Sequence, residues 1–238
     1  MPIFPYNSNK RLNLLLIINT KSHMQAKQII HQQPREKILL TALELFAELG
    51  FERATVRQIA KKAQVNISAI GYYFGDKAGL YQAAFTEPMG SPKDDIKLFN
   101  APDLSLEQAL NGLFSGFIEP LKQNELAQLC VRLHMREMVE PTGLWEEEID
   151  NGIAPCHQAL LAVLQQHLKI KVIDDDLHRL TMCIAAMGVH LLVGRDVIQK
   201  ICPQITQDEG ALKIMQQRLV QFATSMVNSE ALRREQAC

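Results

Sequence analysis

The sequence predicts an all-α fold, and three observations support that prediction. Aromatic residues make up only 6% of the 238 residues, whereas straight-chain residues, which lose little rotamer freedom in a helix, are abundant. Apolar residues recur at helical spacing, and turn-forming glycine pairs are few. The length fits one large or two small globular domains that bury a core without a metal or a disulfide.

Charge is unevenly distributed along the chain. Residues 1–85 carry 11 Lys or Arg and 5 Asp or Glu, a balance of +6, and the remaining 14 basic and 21 acidic residues give −7. A basic first part joined to an acidic second part indicates that only the first part binds a polyanion.

Residues 1–33 are predicted to be a flexible extension. Lys10 and Arg11 precede the apolar run 14–18, as in a signal peptide, but the run is short, lacks a small-residue cleavage site and is followed by polar residues. A mobile arm and an upstream start codon, with Met24 as the natural first residue, both stay open. No other segment approaches the roughly 18 to 20 apolar residues of a membrane span, which predicts a soluble protein.

A first helix is predicted to follow Pro34 and to end at Gly50. Glycine tolerates the left-handed conformation that commonly ends a helix. The apolar residues of this segment recur at helical spacing; they are Ile38, Leu39, Ala42, Leu43, Leu45, Phe46 and Leu49.

Two short helices joined by a turn are predicted next. Thr55 is a suitable N-cap for the first, which covers 56–63 and leaves Arg57 pointing outward. After a break at 64–66, the second covers 67–74. This is the helix-turn-helix arrangement, whose second helix can enter the major groove of DNA.

Asp76 is predicted to cap a fourth helix that continues through Phe85. Lys77 lies in the first turn of this helix, where a positive charge opposes the helix dipole unless an anion is near. We expect a DNA phosphate to supply that anion.

The segment 38–85 closely resembles the DNA-binding domain of TetR-type transcriptional regulators. The resemblance is carried by LFAELGF, TVRQIA, YYF and the DK that follows. It implies that the helix-turn-helix lies at Thr55–Phe74, that the recognition helix covers about Ile67–Tyr73, and that Lys77 contacts the DNA backbone.

Family members commonly have tyrosine where this chain has Gly71, which moves the expected aromatic contacts to Tyr72 and Tyr73. Short side chains let the recognition helix approach base edges, and polar groups bond to phosphates. A solvated charged face and half-buried tyrosines are the alternative. The predicted DNA contacts are Thr55, Arg57, Asn66, Ser68, Ala69, Tyr72, Tyr73 and Lys77.

A proline-rich segment, 89–104, is predicted to be a linker or loop between a DNA-binding domain at 34–88 and an acidic helical domain at 105–238. Three aspartates at 174–176 are predicted to cap a helix, with a cation site as the alternative. The helices predicted beyond the linker lie near 105–121, 124–139, 143–168, 175–199 and 208–230.

Two motifs, REMVEP at 136–141 and EEEIDNGIAP at 146–155, are similar to the C-terminal domain of the TetR regulators linked to cephalosporin and chloramphenicol sensitivity. That resemblance implies control of export or related stress genes. TetR-like proteins form homodimers through their last two long helices; intrachain core is the alternative role for those residues. The expected interface residues are Met182, Ala185, Ala186, Val189, Leu192, Leu219 and Phe222.

A small-molecule effector is expected to bind a cavity with apolar walls and few polar groups. The candidate residues are Phe114, Phe117, Arg132, His134, Arg136, Trp145, Met187 and His190. His134 and Glu137 have the spacing of metal ligands, but scattered histidines on amphipathic helices rarely bind a metal, so no metal and no cofactor is predicted. The five cysteines are an odd number and form no CxxC pair, which predicts reduced thiols in a cytoplasmic protein, with a redox sensor as the alternative.

The predicted function is that of a repressor that binds a palindromic operator as a homodimer and is released by a ligand, controlling export or antibiotic-sensitivity genes. A ligand-independent architectural DNA-binding protein is the alternative. No enzyme activity is expected, because the sequence lacks a glycine-rich phosphate loop, a GxSxG elbow and an HExxH pair.

Overall fold

The computed structural model describes residues 33–90, 92–122 and 124–237. Every regular element in these ranges is a helix, which confirms the all-α prediction. The predicted extension at 1–33 lies outside the described residues except for Gln33. Within the described ranges, the chain forms two compact units: the first contains 33–90 and 124–145, and the second contains 92–122 and 146–237.

Eleven α-helices are described, and short 3-10 or π turns connect some of them. In chain order they are α1 (Pro34–Arg53), α2 (Val56–Ala63), α3 (Ile67–Phe74), α4 (Lys77–Thr86), α5 (Leu106–Lys122), α6 (Asn124–Val139), α7 (Leu144–Glu148), α8 (Ala154–Leu168), α9 (Asp175–Val193), α10 (Arg195–Ile201) and α11 (Glu209–Ala237).

Predicted helix ends are confirmed where side-chain caps define them. The carboxylate of Asp76 accepts a hydrogen bond from the backbone N–H of Gly79 at 2.8 Å, at the start of α4. Asp174 accepts one from Leu177 at 2.9 Å, at the start of α9. Gly50 interrupts the regular helical geometry with a φ of 81°, and α1 continues beyond this kink to Arg53. Local chemistry therefore sets these ends.

The first unit has a core built around α1. Large apolar side chains of α1 and α4 are fully buried there, among them Phe46 and Leu80. Leu126, Cys130 and Leu133 of α6 join the same core at helical spacing. The structure therefore groups α6 with the helix-turn-helix, whereas the domain boundaries predicted from the sequence place α6 in the domain at 105–238.

The second unit packs α5, α8, α9 and α11 around one apolar core. The segment predicted as a linker belongs to this unit: residues Pro92–Leu98 form a 3-10 helix, and Phe99 is buried in the core. The helix predicted at 175–199 is interrupted at Gly194, so that α9 and α10 are separate.

The cysteines differ in exposure. Cys130 is buried, Cys156 and Cys202 are half-buried, Cys183 is exposed, and these four are free thiols; Cys238 lies outside the described residues. Burial raises the pKa of Cys130 to about 12 and is the main cause that raises the pKa of Cys156 to about 11. A reactive thiol needs a lowered pKa, so neither of these two residues fits the redox-sensor alternative.

Candidate nucleic-acid interface

The candidate interface begins at α2, whose N-terminus is held by a reciprocal capping box. The hydroxyl of Thr55 accepts a hydrogen bond from the backbone N–H of Gln58 at 3.2 Å. The side-chain oxygen of Gln58 accepts one from the backbone N–H of Thr55 at 2.9 Å. The predicted DNA contact at Thr55 therefore has an internal role, because its side chain fixes the start of α2.

The outward face of α2 is basic. Arg57, Lys61 and Lys62 are exposed. Lys62 pairs with Glu44 of α1 at 2.5 Å, whereas no ion pair within the described ranges involves Arg57 or Lys61. These two charges are the ones that α2 leaves available to a polyanion.

Helix α3 is positioned by a second cap. The side-chain oxygen of Asn66 accepts hydrogen bonds from the backbone N–H of Ser68 at 3.0 Å and from its hydroxyl at 2.9 Å. Ile70 is the buried residue of this eight-residue helix. Predicted contact residue Ala69 is half-buried and packs against the core of the first unit.

Most of the surface of α3 is exposed. Tyr72 has 83% of its surface exposed, and Ser68, Gly71 and Tyr73 are also exposed. The rings of Tyr72 and Tyr73 meet edge to face with centroids 4.9 Å apart. This helix, positioned by the Asn66 cap and the buried side chain of Ile70, displays hydroxyl and aromatic groups, which suit contact with bases and phosphates.

Lys77 makes two contacts within the first unit, and its contact with a DNA phosphate stays a prediction. Its ammonium group lies 4.4 Å from the ring centroid of Phe51 and donates a hydrogen bond to the backbone carbonyl of Glu52 at 3.3 Å. The carbonyl group of Glu52 and the aromatic face of Phe51 therefore offset the unfavourable interaction of the Lys77 charge with the dipole of α4.

A buried carboxylate joins α4 to α6 within the first unit. Glu137 is fully buried and accepts a hydrogen bond from the hydroxyl of Tyr81 at 2.7 Å. It also accepts bonds from the backbone N–H groups of Thr142 at 2.6 Å and Leu144 at 3.2 Å. Burial and this carboxylate raise the pKa of Tyr81. The helix that follows the recognition helix is thus fixed to α6.

Arg136 connects α6 to α1. Its guanidinium donates a hydrogen bond to the carbonyl of Glu48 at 3.2 Å and pairs with Glu140 at 3.1 Å. The Nε atom of Arg136 is buried without a hydrogen-bond partner in the described part of the chain. Gly50 lies directly beneath these side chains, where a methyl group would press against Arg136 and Glu140.

Two family sequence models match this chain. One is described as bacterial regulatory proteins of the tetR family and matches residues 38–84. The other is the C-terminal domain of the HTH-type transcriptional dual regulator CecR, and it matches residues 106–229, about half of the chain. The chain belongs to the TetR family. The match over 106–229 is to the CecR C-terminal domain, which confirms the subgroup predicted from the two motifs.

Curated relatives agree with this assignment. CecR of Shigella flexneri is 29% identical over 150 residues, which cover 58% of this TetR-family chain and 66% of that protein. The transcriptional regulator BetI of Escherichia coli is 33% identical over 84 residues, which cover 34% of this chain and 43% of BetI. The chain spans less than two thirds of the length of either relative. TetR-family transcriptional regulators are in general not enzymes.

Solved TetR-type structures share the fold. A tetR-family regulator from Rhodococcus RHA1 superimposes with a TM-score of 0.61 at 18% identity, over 82% of this chain and 97% of that chain. The fatty acid degradation regulator FadR from Bacillus halodurans gives 0.55 at 20% identity, over 79% and 95%. The hemolysin II regulator HlyIIR gives 0.51 at 22% identity, over 74% and 96%.

The predicted effector residues of this TetR-family regulator fall in both units. Phe114, Phe117, Met187 and His190 belong to the second unit, and the other four to the first. Phe114 is fully buried in the core of its unit, and Phe117 lies so close to Gly188 that a methyl group there would overlap its ring. His190 is exposed.

The four effector candidates of the first unit have different surroundings. His134 stacks on Phe85 with ring centroids 4.0 Å apart, and Trp145 meets its edge at 6.4 Å. The Nδ1 atom of His134 donates a hydrogen bond to the carbonyl of Cys130 at 2.8 Å, and burial lowers its pKa. In the neutral ring, Nε2 is therefore the acceptor. Arg132 is exposed, and Arg136 contacts Glu48 and Glu140.

The predicted dimer residues are divided between surface and core. Met182, with 60% of its surface exposed, Ala186, Val189 and Phe222 are exposed, and Ala185 and Leu192 are half-buried. Leu219 is only 6% exposed and belongs to the core of the second unit. Leu219 therefore fits the alternative of an intrachain role.

Two further findings concern metals and membranes. In the described ranges, no group of three or more His, Cys, Asp or Glu could hold a metal ion. Helix α9 is long and apolar enough to cross a membrane by length and composition alone. This is weak evidence for a span, because a core helix of a soluble protein passes the same test.

Proposed function

We propose that this TetR-family regulator binds a palindromic operator as a homodimer and represses the adjacent genes until a small-molecule effector releases it in the cytoplasm. The observation that carries the DNA-binding part is the exposed face of α3, which is held by the Asn66 cap and one buried side chain, Ile70. A two-fold dimer would present two such helices to half-sites about one helical turn apart.

An apolar stripe supports the dimer part of the proposal. Met182, Ala186, Val189 and Val193 lie at helical spacing along α9 and are exposed. Contiguous exposed apolar surface of this kind is typical of protein interfaces. A second copy of the chain supplies a matching surface, since a two-fold interface uses the same patch twice.

The link between α4 and α6 supports a mechanism of release. Because Tyr81 and Glu137 fix α4 to α6, a shift of α6 moves the recognition helix with it. An effector that binds more tightly to dimers with misplaced recognition helices reduces the population that fits the operator. The resemblance to CecR supports export or antibiotic-sensitivity genes as the regulated set.

Paired charge-removal variants test the DNA-binding face. Arg57→Ala and Lys213→Ala each remove one exposed positive charge, from α2 and α11 respectively. We expect Arg57→Ala to weaken binding to all duplexes alike and to reduce the salt slope by about 0.9 per subunit. Lys213→Ala should match the wild type. Equal effects of the two variants on affinity and slope would contradict this assignment of the DNA face.

The effector part is tested through Trp145, the single tryptophan of the chain. We expect chloramphenicol or a cephalosporin to change its fluorescence over the concentration range that releases operator DNA. Operator must then weaken effector binding by the same factor by which effector weakens operator binding. Release of DNA by either compound without a fluorescence change, and with an unchanged response of Trp145→Phe, would exclude Trp145 from the effector site.

A further inference from the structure

Gly71 is the glycine that the fold of this chain does not explain. All twelve glycines of the sequence lie among the described residues. Four have a left-handed φ, between 72° and 105°. In seven others, a methyl group would press against a neighbouring atom at 3.2 Å or closer. Gly71 has neither property.

Its surroundings are open. Gly71 lies within α3 with a helical backbone, is exposed, and would meet no other protein atom within 4 Å if it carried a methyl group. Gly79, in the same unit, provides the contrast: a methyl group there would overlap the carbonyl oxygen of Phe74. The packing of this chain requires glycine at 79 but not at 71.

A glycine within a helix is unfavourable. It loses more backbone entropy on folding than alanine does, so alanine at this position would stabilise the helix. Ile70 is the buried residue of α3, and Ala69 and Phe74 pack against the core while only partly buried, but none of these contacts involves position 71. Glycine at position 71 therefore lowers the stability of α3, and the fold of this chain does not require it.

We propose that Gly71 is a specificity-determining residue, and that its missing side chain lets α3 lie close enough to the floor of the major groove for its neighbours to reach base edges. Ser68 and Tyr72 share this face, three residues before and one after Gly71, and both are exposed. The partner is a B-form DNA duplex in van der Waals contact with the Cα atom of Gly71. The inference rests on the proposed operator binding.

The test compares stability and DNA affinity in the full-length protein. The duplex is one that the wild type selects from a random-sequence library. We expect Gly71→Ala to raise the unfolding temperature and to weaken binding to this duplex about tenfold, the usual effect of one extra methyl group in a close-packed contact. Gly71→Leu should weaken it further. Binding to random DNA depends on phosphate contacts and should change less.

A matched control uses Ser225, an exposed helical residue of α11 in the second unit. Ser225→Ala also improves helix propensity, and we expect it to leave the affinity for the selected duplex unchanged. A general effect of added stability on DNA binding would appear in both variants and would overturn the inference.

The outcomes separate this inference from the proposed function. Wild-type affinity in Gly71→Ala, together with a higher unfolding temperature, would overturn the role of Gly71 and leave operator binding intact. A lower unfolding temperature would also overturn it, because the protein itself would then need glycine there. Failure of the wild type to select any duplex would instead contradict the proposed function.

Discussion

The two units expose surfaces of opposite character. In the first, α3 displays hydroxyl and aromatic groups beside the charges of Arg57 and Lys61. In the second, α9 displays the apolar stripe of Met182, Ala186, Val189 and Val193, and Val197 and Ile201 of α10 are also exposed. Each unit also has a well-buried apolar core. Polar groups gain from contact with a polyanion, whereas apolar area gains only when it leaves water.

The interiors differ as well. The core of the first unit contains the fully buried carboxylate of Glu137, whereas the buried polar residue described in the second unit is Thr181, which donates a hydrogen bond to the carbonyl of Leu177 at 2.7 Å. A buried carboxylate is costly unless its acceptors are satisfied. The first unit thus combines an apolar core with a buried polar network, whereas the second unit depends mainly on apolar packing.

The largest expected effect follows from breaking that network. Glu137→Ala leaves the hydroxyl of Tyr81 and the N–H groups of Thr142 and Leu144 without their acceptor, so we expect the free energy of unfolding to fall by about 3 kcal/mol. Denaturant titration measures this. Glu140→Ala is the control, because its exposed pair with Arg136 is worth less than about 1 kcal/mol. Similar losses in both variants would show that the network contributes little.

The next effect tests the apolar stripe. Ala186→Arg places a charge at the centre of the stripe, and we expect a folded monomer whose dimerisation is weakened at least about hundredfold. Gln158→Arg, at an exposed position of α8, should leave the dimer intact. Sedimentation measures both. A full-strength Ala186→Arg dimer would show that the chain assembles through another surface.

A smaller effect concerns Lys77, which has an internal contact and a proposed DNA contact. Lys77→Ala removes the interaction with Phe51, worth about 0.5–1 kcal/mol, and should reduce the salt slope of DNA binding by about 0.9 per subunit. Unfolding and binding are measured separately. Lower stability with an unchanged slope would leave Lys77 with the internal role alone.

A further effect is a pH dependence of stability that arises from His134 in the first unit. Burial lowers the pKa of His134, so the folded state keeps the ring neutral while the unfolded chain takes up a proton near pH 6.5. Its contribution to stability is therefore complete above pH 6.5 and declines by up to about 1.4 kcal/mol per pH unit below it.

A variant isolates this contribution. The stability difference between pH 7.5 and pH 5.5 should shrink in His134→Gln, whereas His167→Gln, at an exposed position of α8, should behave as the wild type. An identical pH dependence in all three proteins would exclude His134 as its source.

Local signals allowed the sequence to predict α1 to α4. The caps at Thr55 and Asp76 and the helix break at Gly50 depend on residues a few positions apart. The packing of α6 against the core of the first unit was not predicted, because an apolar helix face indicates that the helix is buried but not which helices it packs against. Glu137 follows Leu133 by four residues and Cys130 by seven, so it lies on the buried face of α6. That spacing was the available signal for a buried carboxylate.

Long-range contacts account for the other differences. The acceptor role of Glu137 depends on Tyr81, 56 residues earlier, and Lys77 finds its carbonyl 25 residues earlier at Glu52. No spacing rule connects such residues, since their proximity results from packing of α1, α4 and α6. The predicted effector set was spread over both units for the same reason.

A footprint of the wild-type protein on a duplex it has selected, with the stoichiometry of the complex measured in parallel, tests the central claim most directly. The claim is that the polar face of the first unit binds specific DNA while the apolar stripe pairs two copies. It predicts two protected half-sites about one helical turn apart and two chains per duplex. Uniform protection without sequence preference, or a single chain protecting one site, would contradict it.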